Sequence, residues 1–550
     1  MRNAQKSDHV IPALLLADGS LAILSAVFAH MLGFDPTPGW GGSRVVIFIL
    51  GIFLVALSTY LFGNKTKFIE SEAASIAALT GHTWAVIIII YIWFITFGTF
   101  TEWRASTRYY SLLADAFGKG QLHVDVEPGA ALLAADDPYN NEGRPPFDDD
   151  VWDLSLYKGR LYLYWGPVPA LLMTPLQRAL NTRLPDLYPV FFFFCGLLLV
   201  NSLILLKMRS FLHPSLPLRN LIASLLVSGL ILPIPWSLGI PDIYEAAIGA
   251  GQFFLMGGIL FTLLAFERNI DKTRLFLAGL FWACSVGSRA INVFSILFLA
   301  ALTLYWIWKT RASNWVKPSL ALLTPLALGA LLIAGYNHAR FDSPLEFGLR
   351  YQITVQNMNR DMPLVFELDY LPHNVNAYVL QPFQFVSGFP FIRPAGYTAL
   401  LQNRGVTAPG LYAAGNVTGM LFFAPFLLLA FLPFLQQSAA EQNDSAGLKR
   451  LVLYLLAGSF IINFTSLLFY YYGQMRFLAD VISQAALLAV FGYWIVAGKS
   501  HRVLLALANL LIAFTLVVSL LLAVTSESGR MEKLNPALTE RVNSFFTGGK

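Results

Sequence analysis

LYPVFFFFCGLLLVNSLILL, residues 187–206, carries no charged side chain over twenty positions. That is about the ~20 apolar residues an α-helix needs to cross ~30 Å of hydrocarbon. Apolar runs about one bilayer long recur at 45–62, 84–100, 247–266, 320–335, 420–435, 451–470 and 503–524. None alternates apolar and polar residues at period two, as a barrel strand would, so helices must satisfy the backbone inside the bilayer. Composition agrees: 56% of residues are hydrophobic, 13% are charged and mean hydropathy is +0.60, which leaves too little polar surface to cover a soluble globule of 550 residues. The fold class read from this pattern is an all-α polytopic integral membrane protein.

Basic residues gather in short loops: Lys65 and Lys67; Lys207, Arg209 and Arg219; Arg268, Lys272 and Arg274; Lys309, Arg311 and Lys317; Lys449 and Arg450; Lys499 and Arg502. The positive-inside rule puts all of them in the cytoplasm together with Arg2 and Lys6. A consistent count then needs about thirteen spans, with the N-terminus inside and the C-terminus outside. Stretch 161–180 is long enough to cross, yet a crossing there would turn every later basic loop outward. Pro167, Pro169 and Pro175 also break it. It reads as a re-entrant or interfacial part of the first large loop. The pair 275–288 and 291–308 becomes a tight hairpin whose outer tip is Ser288, Arg289 and Ala290.

Arg2 and Lys6 ahead of an apolar stretch resemble a signal peptide, but Asp18 inside the stretch and the lack of a small-residue cleavage site point to a retained first helix. Cys195 and Cys284 fall in apolar runs and imply no disulfide framework. The net charge of +5 is modest and the basic residues form no stripe, so nucleic acid is not a partner.

Two extramembrane segments, 101–186 and 336–414, both lie outside in this topology, and each exceeds the ~15 residues beyond which a loop usually carries function or structure of its own. Residues 102–160 hold eleven acidic against six basic side chains, a local net of −5. RYYSLLADAF (108–117) has helical spacing and is expected along the membrane surface, ended by Gly118 and Gly120. Asp136-Asp137-Pro138-Tyr139 is a turn, and Asp148 to Asp150 read as a solvated charge run.

Aromatic residues crowd in WDLSLYKGRLYLYWGPVP (152–169). The plain reading is an interfacial belt. The sharper one is a pocket whose aromatic faces take a sugar ring or lipid head, with Tyr157, Lys158, Arg160, Tyr162 and Tyr164 fixing orientation. Tyr244 and Glu245, in GIPDIYE (239–245), face the same cavity or simply start a helix after Asp242.

Arg289, Arg476 and Arg350 stand near the outer boundary, against the topological charge bias. An internal partner is the plain account of each, for example Asp480 four residues past Arg476 on one helix face. Three together favour an anionic ligand such as a lipid phosphate.

Several segments resemble GT-C superfamily membrane glycosyltransferases, in particular bacterial proteins related to the dolichyl-phosphate-mannose protein mannosyltransferase group. They are LADAF (113–117), the stretch 152–169, YNHARF (336–341) with EFGLRYQ (346–352), and RFLAD (476–480). The resemblance runs from about residue 84 to the C-terminus. It implies a GT-C-like bundle of about 13 transmembrane helices with two large outer-face loops. Two additional N-terminal helices (1–82) would precede a membrane core (83–336) that includes a catalytic-type outer loop (101–186). A second outer loop (337–415), C-terminal transmembrane helices (416–524) and an outer-face tail (525–550) would follow.

The resemblance further implies a polyprenyl-phosphate-linked sugar donor and a glycan, lipid or protein acceptor, at the outer face of a bacterial cytoplasmic (inner) membrane. In that family a carboxylate near the start of the first outer loop acts as base or positions the acceptor. Glu102 stands here where an aspartate is usual, so Asp153, Asp115 and Asp137 compete with it; Glu102 and Asp153 rank first. Arg289 ranks first for holding the leaving phosphate and Arg476 second, with Arg350 in the same group. No particular cofactor is implied. The carboxylates are compatible with a divalent metal, but no cluster has diagnostic ligand spacing, and His338 and His373 are isolated. A transporter or flippase, or a polymerase or ligase of lipid-linked saccharides, would use the same face and the same grip on phosphate. Asp18 is the one clear mid-span carboxylate and no internal repeat is visible, which ranks transport second.

Overall fold

The computed structural model describes residues 10–547 apart from 32–33, 36, 64–71, 105–106, 148–150, 268, 311–313, 404, 406, 437–443, 500 and 527–528. Arg2, Lys6, Lys65, Lys67, Arg268, Arg311 and the Asp148 to Asp150 run lie outside the described residues. Nine described helices are long and apolar enough to cross a membrane: Val10–Val27, Gly42–Gly63, Glu72–Thr96, Leu187–Leu212, Ile243–Ala265, Val293–Thr310, Val316–Phe341, Asp444–Phe469 and Arg502–Val524. The chain is therefore an all-α polytopic membrane protein. Leu218–Leu230, Lys272–Val286 and Ile482–Gly498 are shorter. The run 420–435 is not one helix but three pieces, Met420–Phe423, a 3₁₀ segment Pro425–Phe431, and Leu432–Leu435. Pro425 and Pro433 lack the N–H that would join them.

Helix Ile243–Ala265 is the centre of the bundle, with nineteen of its 23 residues buried. Its burial on every side marks it as surrounded by protein, and Leu187–Leu212 and Lys272–Val286 pack on it. Val10–Val27 and Gly42–Gly63 pack chiefly on each other. Asp18, mid-span in the first of them, is paired with His82 of Glu72–Thr96 at 2.9 Å.

Stretch 161–180 is not one continuous helix. Ser155–Tyr157 and Arg160–Tyr162 form an antiparallel hairpin, and Lys158 and Gly159 at its turn both take positive φ, 49° and 74°, the backbone a two-residue hairpin turn needs. Val168–Leu180 is then a 13-residue helix, roughly 20 Å long. It buries Pro169, Ala170, Met173 and Gln177 and exposes an apolar face of Leu171, Leu172, Leu176 and Leu180. The helix expected along the surface at 108–117 is Tyr109–Gly118, but Val168–Leu180 packs over it and most of its side chains are buried.

One carboxylate pins this loop to the bundle. Asp186, fully buried, accepts hydrogen bonds from the Thr107 hydroxyl (2.7 Å) and from the N–H groups of Tyr109 (2.8 Å) and Tyr110 (2.9 Å). It supplies the negative charge that the start of Tyr109–Gly118 favours. The Thr107 hydroxyl in turn accepts from the Ile243 N–H at the start of the central helix (3.0 Å).

Beyond Val316–Phe341 the second loop runs as short turns that knit the first loop to the bundle. Asp153 N–H donates to the Ile353 carbonyl and Ile353 N–H to that of Leu154, both at 2.8 Å. Glu367 N–H donates to the Phe469 carbonyl and Tyr471 N–H to that of Val365, both at 3.0 Å, at the very end of Asp444–Phe469. Ala413–Ala414 pairs in parallel with Tyr472–Gly473.

Candidate functional site

Where the two loops gather over the helix ends they enclose a cavity of about 540 Å³. Asp153, Tyr164, Tyr244, Arg289 and Arg476 all line it, and Glu245 lies directly behind Arg476. Five side chains from four distant stretches thus meet at one place.

Asp153 sits just ahead of the hairpin strand with φ at +60°, a conformation that costs a non-glycine residue about 1–3 kcal/mol and that the cross-loop pairing to Ile353 sustains. Its Oδ1 accepts from Gln352 Nε2 at 2.8 Å and its Oδ2 from the Tyr244 hydroxyl. It is 5% exposed. Burial pushes its carboxyl above the usual range, against hydrogen bonds from Tyr244, Thr354 and Gln352 and the nearby charge of Arg476.

Arg289 occupies the hairpin tip, as its sequence position suggests. The tip is seated by two close approaches. A Cβ at Gly166 would overlap the Gly287 carbonyl oxygen, which accepts from Val168 N–H at 3.0 Å, and a Cβ at Gly251 would stand 2.7 Å from the Arg289 Cβ. Arg289 donates to Asp480 Oδ2 through Nη2 (2.8 Å) and Nε (3.3 Å). Arg476 lies over the Tyr244 ring at 4.1 Å and reaches Glu245 Oε1 at 3.7 Å. The Phe477 ring is within cation–π range of both guanidinium groups, at 5.6 Å from Arg289 and 5.5 Å from Arg476.

The partner of Asp480 differs from the expected one. Met475–Asp480 is a 3₁₀ helix, whose three residues per turn carry position 480 away from 476, so Asp480 pairs across the bundle with Arg289 instead.

The remaining candidates do not line the cavity. Glu102 is exposed and paired with Arg104 at 2.9 Å. Asp115 is held by Arg183 (2.6 Å) and Gln177 (2.8 Å). Asp137 bonds the turn N–H of Tyr139 and the Asn357 amide, both at 3.0 Å. Arg350 faces Glu346, four residues earlier in the chain, at 3.8 Å. Tyr157 and Lys158 both reach Asp342, at 2.9 and 2.5 Å; Arg160 is exposed, and Tyr162 packs against Phe341. Position along the hairpin separates the two groups, since Tyr157, Lys158 and Arg160 sit around its turn while Tyr164 and Trp165 follow its inner end.

Sequence reasoning missed Gln352 and Thr354, which engage Asp153, and the part of the wall made by Tyr470 to Tyr472, while Trp152 and Trp165 come from the aromatic stretch 152–169. The run of three tyrosines before Arg476 was the available signal. Among the described residues no group of three or more His, Cys, Asp or Glu side chains is placed to hold a metal ion.

Two cations and one buried carboxylate on an aromatic-walled cavity can hold an anion at one side and accept a proton at another. No family model matches this sequence, and no curated protein matches it. Three solved structures from Archaeoglobus fulgidus are similar in part. The oligosaccharyltransferase in its apo form matches at 12% identity and TM-score 0.42, over 84% of this chain and 56% of that one. The oligosaccharyltransferase AglB in complex with an inhibitory peptide and a dolichol-phosphate matches at 14% and 0.43, over 81% and 56%. The oligosaccharyltransferase of the first structure, tethered by a disulfide to an acceptor peptide containing the NVT sequon, matches at 12% and 0.41, over 81% and 55%. The chain spans little more than half the length of these structures.

Proposed function

We propose that the cavity transfers a sugar, hexosyl or pentosyl, from a polyprenyl-phosphate donor to an acceptor glycan, lipid or protein, as a GT-C glycosyltransferase at the outer face of a bacterial cytoplasmic membrane. The convergence of Asp153, Arg289 and Arg476 on one cavity carries this reading. Charges at the end of a membrane bundle are costly unless they are paired or used, and here the guanidinium groups and the carboxylate share a space lined with aromatic rings.

In the proposed step Asp153 takes the proton of an acceptor hydroxyl as its oxygen bonds to the anomeric carbon. The bond from that carbon to the phosphate oxygen breaks, and its electron pair leaves on the lipid phosphate, whose charge Arg289 and Arg476 hold. A carboxyl lifted by burial is a stronger base than an exposed one, and general-base help is worth about 10² to 10⁴-fold. Fixed cations in a water-poor site supply a comparable or larger factor. Tyr164, Tyr244 and the aromatic wall are assigned to the sugar, and Glu245 to holding Arg476.

Orientation has its own support. Lys272 and Arg274, Lys309, and Lys449 and Arg450 occupy the helix ends opposite to those that reach the cavity. Positive charge on the far side favours a cytoplasmic assignment there and an outer assignment for the loops. The N-terminal pair of helices, packed mainly on each other, is assigned as an addition to the core.

A carrier of lipid-linked saccharides would grip the same phosphate and leave the sugar–phosphate bond whole. The test is therefore bond breakage. Purified protein in proteoliposomes is given polyprenyl-phosphate hexoses and pentoses labelled in the sugar, together with envelope glycans and lipids, and label leaving the polyprenyl phosphate is counted. Wild-type protein is expected to release or transfer label from one donor, and Asp153→Asn and Arg289→Ala to lose about 10²-fold or more at equal yield of folded protein. Wild-type rates in both variants would overturn the proposal.

A further inference from the structure

Beneath the cavity lies a polar assembly that the transfer step leaves unused. Asp480 is 1% exposed and does not line the cavity. Its Oδ2 accepts both bonds from Arg289, while its Oδ1 has no hydrogen-bond partner. Its backbone carbonyl accepts the amides of Gln252 (2.8 Å) and Asn463 (3.1 Å). Gln484 donates to Gln252 Oε1 at 3.1 Å, and Asn463 donates also to Asn292 Oδ1 at 3.3 Å. All four amide side chains are buried, and each comes from a different helical segment of the bundle.

Buried amides in a membrane bundle are tolerated only when paired. Here two of them converge on the residue behind a cavity-lining arginine. The other arginine is held differently. Glu245 stands 3.7 Å from Arg476, and neither of its carboxylate oxygens accepts a hydrogen bond. One cation is locked and the other is loosely attended.

We propose that Asp480, seated by Gln252 and Asn463, is a positioning residue that fixes the direction in which Arg289 presents its guanidinium to the leaving phosphate. This rests on the transfer reading above. A negative charge directly behind Arg289 weakens its attraction for an anion, so what Asp480 contributes is direction and not affinity. That separates it from a residue needed only for folding, whose loss would lower binding and turnover together.

The experiment uses the full chain in nanodiscs and reads binding of polyprenyl phosphate separately from kcat for sugar transfer. Asp480→Asn removes the charge at nearly constant volume. It is expected to bind polyprenyl phosphate at least as tightly as wild type while kcat falls about hundredfold, the scale of a misdirected catalytic group. Arg289→Gln is expected to weaken polyprenyl phosphate binding, and adding Asp480→Asn to it to lower kcat no further, because both changes act through one guanidinium. Should Asp480→Asn not fold, Asn463→Ala loosens Asp480 from behind and should give the same split at smaller size. Unchanged kcat in the folded variant, weaker polyprenyl phosphate binding in Asp480→Asn, or losses that multiply in the double variant would each overturn the proposal. Asp153→Asn is run beside them: wild-type transfer there removes the transfer reading itself, whereas an inactive Asp153→Asn with a wild-type Asp480→Asn removes only the positioning role.

Discussion

Replacing Asp186 with asparagine tests whether the first loop is tied to the bundle through one buried carboxylate. Burial lifts this carboxyl from its ordinary 3.8 to about 6, against hydrogen bonds from Thr107 and from the N–H groups of Tyr109 and Tyr110. The unfolded chain titrates near the ordinary value, so between there and about 6 the folded protein holds a proton that the unfolded chain has lost. This group's contribution to stability is therefore greatest at low pH and falls as pH rises through that window. A shift of about two units corresponds to roughly 3 kcal/mol. Asparagine keeps the shape and one acceptor oxygen but does not titrate. Thermal unfolding of both proteins in nanodiscs, from about pH 4.5 to about pH 7.5, should show Asp186→Asn gaining on wild type by roughly 2 kcal/mol as pH rises, the part of the total that falls inside that range. All other titrating groups cancel in that difference. Parallel curves would contradict the claim that burial outweighs the three hydrogen bonds on Asp186.

Other outcomes follow from the same geometry. Gly166→Ala places a Cβ against the Gly287 carbonyl oxygen and should displace the hairpin tip, costing about 1–3 kcal/mol in thermal stability and reducing transfer through Arg289. Glu102→Gln alters an exposed pair with Arg104 and should leave transfer within about twofold of wild type, since such pairs contribute little; a large loss would return Glu102 to the site. Transfer should fall as pH drops through the raised titration of Asp153. Tyr244→Phe removes a hydrogen bond that favours its ionised form, so the acid limb of the rate profile should move to higher pH. An unmoved acid limb would mean that Asp153 is not the base.

Spans were the most legible part of the chain because burial in lipid writes itself as uninterrupted apolar length. Stretch 161–180 was separable from a span for two physical reasons, its prolines and the charge bias of every later loop, and it is a hairpin strand followed by a short helix. The hairpin itself left a signal in the buried leucines at 154, 156, 161 and 163 flanking Lys158-Gly159, which the aromatic crowding obscured. At 420–435 hydropathy outweighed Pro425 and Pro433, and the helix is broken there.

The site was harder to read than the fold. Asp153, Arg289 and Arg476 were recognisable as candidates, but their meeting depends on how loops more than a hundred residues apart fold over one another. The other candidate carboxylates, Glu102, which ranked beside Asp153, and Asp115 and Asp137 below it, each pair away from the cavity. The exchange of Asp480 from Arg476 to Arg289 turned on whether six residues form an α or a 3₁₀ helix, a difference that residue spacing does not carry.

The central claim is that Arg289 and Arg476 grip one lipid phosphate beside Asp153. A structure of the protein in nanodiscs with polyprenyl phosphate tests it most directly. The account predicts the phosphate within hydrogen-bond reach of both guanidinium groups, with the Asp153 carboxylate across the cavity from it. Phosphate held elsewhere on the bundle, with both arginines still turned only to Asp480 and Glu245, would contradict it.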